Sequence, residues 1–214
     1  MSKPDKNSFA NEEWRIIQRC RTPKQVQKFL SLFPYNRERT GGTLRSFREV
    51  VKRGEAHCLE AALTAAVILE QHGFPPLLLS IESQDKLDHV LFVFREKGLW
   101  GSIGRSRDIG LHGRKPVFKN IRQLVWSYFD PYIDKSGRIV GYGATDLNVL
   151  GNYDWRFSAR NVWKVENHLR EIPHAHLKSS EKRYEKVFRR FVEFKKTNHT
   201  ESPDYFENKN LWML

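Results

Sequence analysis

The sequence predicts an α+β fold in which a buried central helix packs on an antiparallel sheet, with extra helices at both ends. Three observations point there. Residues from Cys58 to His72 are apolar on nearly every side of a helical wheel, the stretch after them breaks into short apolar runs divided by turn residues, and helical periods reappear on both flanks.

At the amino end, Trp14, Ile17 and Cys20 share one side of a helix over Asn11 to Cys20. Thr22 then caps a second helix with Pro23 at its first position, and Val26, Phe29, Leu30 and Phe33 form its apolar face. Tyr35 to Thr43 is polar, contains Gly41 and Gly42, and reads as a loop. Phe47, Val50 and Val51 suggest a short helix that Gly54 stops. The central helix follows, and because it lacks a broad wet face it must be buried. Gly73, Pro75 and Pro76 end it. Core strands are expected over Leu77 to Ile81, Val90 to Phe94 and from Leu99 to Ile103, with a turn at Glu96, Lys97 and Gly98. Arg105 to Pro116 reads as a surface loop, and Ile121, Leu124, Val125, Tyr128 and Phe129 as a helix running to Pro131. Asp134 to Gly143 carries three glycines and reads as turns, with another strand expected within Val149 to Phe157. From Glu181 to Lys196 a basic amphipathic helix turns Tyr184, Val187, Phe188, Phe191 and Val192 to one side. Leu211, Trp212, Met213 and Leu214 are apolar enough to dock on the body.

The chain's 214 residues suit one domain, 1–214, with a core at about 35–130, a helical N-terminal part at 11–34 and a C-terminal extension whose basic helix lies within 178–198. With 39% hydrophobic residues, wholesale disorder is excluded. The longest apolar run, Ala61 to Leu69, falls far short of the ~20 residues that span a bilayer. No apolar stretch follows the lysines of Met1 to Asn11, so no membrane attachment and a cytoplasmic location are expected. Cys20 and Cys58 are read as thiols. A net charge of +12 favours anionic partners, but no finger, RNP-like strand or phosphate loop organises it, and the basic helix reads as a solvated face.

Cys58 lies where the polar Gly54-Glu-Ala-His57 approach turns into the buried helix. A thiol in a helix's first turn feels the positive end of the macrodipole and unpaired N–H groups, which favour thiolate and can also hold an oxyanion. His89 opens an apolar strand, and a Cys and a His meeting from separate elements form a nucleophile and its general base. Other groupings are weaker. His57, Cys58 and His89 lack a fourth zinc ligand, His174 and His176 stand alone as a pair, and Cys20 between Arg19 and Arg21 reads as structural. No cofactor and no metal are expected.

The ordered landmarks Arg53-Gly-Glu-Ala-His-Cys58-Leu-Glu-Ala-Ala62, Leu69, His72-Gly-Phe-Pro75, Asp88-His89 and Gly98-Leu-Trp100 resemble the core of the transglutaminase-like superfamily, with its papain-like fold. They cover roughly residues 53 to 104, and Tyr35 to Phe129 resembles uncharacterised bacterial members more loosely. The resemblance implies a cysteine hydrolase or acyltransferase acting on a peptide or amide substrate, with Cys58 as nucleophile, His89 as base, and hydrolysis favoured over crosslinking. In that family an Asp on the next strand completes the triad. A turn centred between Glu96 and Lys97 would set Gly104 opposite His89, where that Asp would stand; Ser102, Ser106 and Asp108 are poor substitutes. The alternative reading is a catalytically impaired version of the fold that acts as a basic binding module for an anionic partner such as nucleic acid.

Overall fold

The computed structural model describes residues 3–214; of the N-terminal stretch read above, Met1 and Ser2 lie outside the described residues. Four helices precede the sheet: α1 (Asn11–Arg19), α2 (Pro23–Ser31), α3 (Phe47–Arg53) and α4 (Cys58–Glu70). Thr22 caps α2 by accepting from the Gln25 N–H, and Gly54 ends α3 in the left-handed conformation. Of the thirteen residues of α4, only Cys58 is not buried, which bears out the central helix.

The sheet comprises β1 (Leu77–Ser83), β2 (His89–Glu96), β3 (Leu99–Ile103), β4 (Arg114–Phe118), β5 (Ile139–Asp146) and β6 (Ala175–His176). Its order is β4-β3-β2-β1-β5-β6 and every pairing is antiparallel, so the fold is α+β. Between β4 and β5 the chain crosses the sheet through α5 (Ile121–Tyr132). The remaining helices are α6 (Trp163–Glu171), α7 (Glu181–Thr197) and the single turn α8 (Lys209–Trp212).

Side chains alternate across the sheet as the pleat requires. Leu78, Val90, Phe92, Phe94 and Ile103 pack with α1 to α4, whereas Leu79, Ile81, Leu91 and Val93 pack with α5 and α7. Both ends of α4 are moored by buried carboxylates. Glu70 near its C-terminus pairs with Arg156 through two contacts at 2.7 and 2.8 Å. Glu60 in its first turn is fully buried and accepts from Asn36, Thr43, the Arg45 N–H and the His57 N–H. Those four bonds satisfy a carboxylate that would otherwise be costly to bury. They also tie the Tyr35–Arg45 loop to the start of α4.

Arg105 to Pro116 is not a surface loop throughout, since β4 begins within it and Arg114 is fully buried. Three further expectations need correction. The β2–β3 turn centres on Lys97 and Gly98, so Glu96 pairs with Leu99 and Phe92 with Ile103. Lys97 and Gly98 have φ of +49° and +81°, and this two-residue turn, left-handed at both positions, matches the twist of the flanking strands. Second, the glycine-rich stretch before Gly143 is largely strand β5. A Cβ at Gly141 would stand 2.2 Å from a Glu82 carboxylate oxygen and one at Gly143 2.8 Å from the Pro173 carbonyl, so glycine here answers close approach and not a turn. Third, Val149 to Phe157 forms no strand; the chain passes from a 3-10 turn at Leu147–Leu150 into irregular backbone.

The basic helix α7 buries Val187 and Phe191, while Arg183 pairs with Asp130 and Arg190 donates to the Tyr205 carbonyl. The tail docks too: the Leu214 N–H donates to the Gly113 carbonyl, and Trp212 lies against the Arg114 guanidinium. Among the described residues no helix is long and apolar enough to cross a membrane.

Candidate functional site

Cys58 and His89 come together. Cys58 is the first residue of α4, His89 the first of β2, and both line one cleft of about 950 Å³. Two imidazoles, His57 and His89, act on the Cys58 sulfur through hydrogen bonding and charge. Burial alone would push the thiol up, but these two bonds and the charges of the same rings outweigh it and hold the thiol well below its ordinary range. Cys58 is half-buried as a residue and lines the cleft, where a substrate would meet it.

His89 is 4% exposed, and its Nε2 lies 3.0 Å from the Leu111 carbonyl oxygen. A carbonyl only accepts, so Nε2 carries the hydrogen and Nδ1 is left for the sulfur. The imidazole's partner on this side is a backbone carbonyl and not a carboxylate. Gly104 does stand beside the ring, since a Cβ there would be 3.6 Å from His89 Nε2, although its ladder position continues opposite Leu91. The same Cβ would sit 2.3 Å from Leu91 Cδ2. A side chain at this position must displace Leu91, and the contact with the imidazole comes from the Leu111 carbonyl. Asp88 accepts from the Ser83 N–H, and Asp108 accepts from Ser202.

The loop that presents the Leu111 carbonyl is built on Arg114, which is fully buried. Its guanidinium donates to the carbonyls of Gly110 and His112 at 2.6 Å and to that of Ser127 at 3.2 Å. Tyr128 adds a bond to the His112 carbonyl at 3.0 Å. Burial lowers Arg114 to about 10, with nearby Tyr128 opposing. His112 in this loop is pushed down to about 4 by burial and by the neighbouring cations Arg105, His89 and Arg114, against a hydrogen bond to Ser106.

His57, expected only as a weak metal candidate, caps α4. Its Nδ1 accepts from the Leu59 N–H at 3.2 Å, and its Nε2 lies 2.9 Å from the Thr43 carbonyl. Burial opposes a charge on this ring, yet hydrogen bonding to Cys58, the thiolate's charge, Glu60 and the Thr43 carbonyl raise it to about 9. A proton on Nδ1 and the bond from Leu59 exclude each other, so the ring caps the helix when neutral and serves the sulfur when protonated.

Tyr35 belongs to the site as well. Its phenol oxygen approaches the Cys58 N–H, and burial followed by the Cys58 charge pushes the phenol above its ordinary range. A tyrosine heading a polar loop carries no sequence signal for this role. His174 sits at 3.6 Å from Glu82 and His176 is exposed on β6. Among the described residues no group of three or more His, Cys, Asp or Glu is arranged to hold a metal ion.

No family model matches the chain. No curated protein sequence matches it either. Among solved structures it is similar to Legionella pneumophila LapG, at 14% identity and a TM-score of 0.38 over 69% of this chain and 89% of that one. That likeness is distant and one of fold alone.

Proposed function

We propose that the chain is a single-domain, transglutaminase-like cysteine hydrolase that cleaves amide bonds through Cys58 and His89. The carrying observation is the placement of Cys58: a half-buried residue lining the cleft, first in a buried helix, and acted on by His57 and His89, which hold its thiol well below the ordinary range. A buried structural cysteine has none of these properties.

The chemistry follows from the positions. The Cys58 thiolate attacks the amide carbonyl carbon, and the charge that develops on oxygen meets the Cys58 N–H and the Tyr35 hydroxyl. His89, holding the proton taken from sulfur, delivers it to the leaving amine as the C–N bond breaks. The resulting thioester is attacked by water, whose proton His89 accepts; the acid leaves and the thiolate returns. An amine in place of water would make the same site an acyltransferase. The Leu111 carbonyl keeps the ring oriented but brings no full negative charge, so slower turnover than with a carboxylate partner is expected.

The test is trapping the acyl-enzyme. A peptide-library digest should yield a thioester mass on Cys58 after acid quench, in wild type and not in Cys58→Ala. The rival reading, a non-catalytic module on the same fold, is favoured by the missing side chain at Gly104. It predicts neither thioester nor cleavage with Cys58 intact.

A further inference from the structure

Beside the Cys58 cleft opens a second hollow of about 620 Å³ that shares Tyr35, Arg37, Arg39 and Arg107 with it. Five arginines line this hollow against two carboxylates, Glu38 and Glu55. Four of the seven are already engaged: Glu55 pairs with Arg45 at 2.9 Å, and Arg105 donates to the Phe33 carbonyl. Glu38 is tied to the Thr43 N–H at 2.6 Å. Arg37, Arg39 and Arg107 are exposed and, among the described residues, form no ion pair; Arg107 lies over the Tyr35 ring at 5.9 Å.

Arg37 and Arg39 lie on the loop moored to α4 by the Asn36 and Thr43 bonds to buried Glu60, two residues from the nucleophile, and Arg107 lies on the loop that follows β3. The large cleft carries both signs, since Glu82, Asp85, Asp88 and Asp134 line it together with Lys86, Arg170 and Lys195, and Arg37, Arg39 and Arg107 are set apart by lining both this cleft and the adjoining hollow.

We propose that Arg37, Arg39 and Arg107 form a substrate subsite for side-chain carboxylates, so that the amide attacked by Cys58 lies within an acidic peptide segment. This rests on the hydrolase reading above and deepens it to a substrate class. Guanidinium suits the role because its planar fork meets a carboxylate in two parallel bonds.

The test separates recognition from chemistry by using the Cys58→Ala chain. Binding of a fluorescein-labelled hexaglutamate peptide is followed by anisotropy, with a hexaserine peptide as reference. The combined Arg37→Gln, Arg39→Gln and Arg107→Gln variant is compared with a charge-matched control on α7, Lys182→Gln, Lys186→Gln and Arg189→Gln. The expected result is hexaglutamate bound more tightly than hexaserine, weakened about tenfold or more by the subsite variant and less than about twofold by the control, with loss on adding salt. Equal effects of the two variants, or no preference for hexaglutamate, overturn the subsite. A hexathymidylate oligonucleotide that binds more tightly and responds to the same arginines overturns it in favour of phosphate recognition. Because binding needs no thiol, failure here leaves the Cys58 chemistry standing, and failure of the thioester trap leaves this result standing.

Discussion

The two cysteines of this chain occupy opposite ends of helices and meet opposite fates. Cys20 follows the last residue of α1, is 6% exposed and sits in the apolar core beneath α4. Burial pushes its thiol up, and the neighbouring Arg19 guanidinium recovers only part of that. Cys58 opens α4, and there the rings of His57 and His89 overcome burial and pull the thiol down. Residue type is the same, and both lie near basic groups in sequence. What separates them is whether the cation reaches the sulfur, and whether the helix end is the one that stabilises an anion.

The comparison breaks most completely by deleting each sulfur in turn. Cys58→Ala should remove amide hydrolysis, a loss of at least about 10³-fold in kcat, whereas Cys20→Ala should stay within about twofold when peptide cleavage is assayed. Next in size is the base. His89→Asn should cost about 10² to 10⁴-fold in kcat and move the thiol back towards ~8.5, read from the ultraviolet absorbance of the thiolate.

His57 needs a subtler change, because it is both cap and partner to the sulfur. His57→Ser keeps a side-chain oxygen for the helix terminus while removing the imidazole. It should leave the thermal midpoint within a few degrees and still raise the Cys58 pKa; an unchanged titration would assign the ring to capping alone. Tyr35→Phe removes one hydroxyl beside the Cys58 N–H and should lower kcat about tenfold to 10³-fold with little change in KM, as expected of a group that acts on developing charge. Smallest is the structural cysteine: Cys20→Ala should cost about 1 kcal/mol of unfolding free energy in a urea titration.

The same contrast shows what could be read in advance. α4 and β1 to β3 were legible because their apolar patterns leave few alternatives, and His89 because it opens a strand at a polar boundary. β5 was hidden by glycines that the packing demands, and α6 because only Val165 and Leu169 of its nine residues are buried. Within the site, the partner of His89 is the backbone oxygen of Leu111, and any residue can supply a carbonyl, so no side chain betrays it. The turn at Lys97 and Gly98 shifted the expected pairing by two positions, an even step that kept Gly104 on the predicted face and beside the imidazole. Tyr35 and Glu60 were invisible as site residues because their importance lies in a loop folding back on the helix, a contact the local pattern does not encode.

The most direct test of the account is the rate of iodoacetamide alkylation at each cysteine across pH, read by peptide mass spectrometry on one native sample. Cys58 should react with a midpoint well below ~8.5, since its thiolate persists as pH falls, while Cys20 stays unmodified until the chain unfolds. A Cys58 midpoint at or above ~8.5 would contradict the claim that the start of α4 and the flanking imidazoles activate this sulfur.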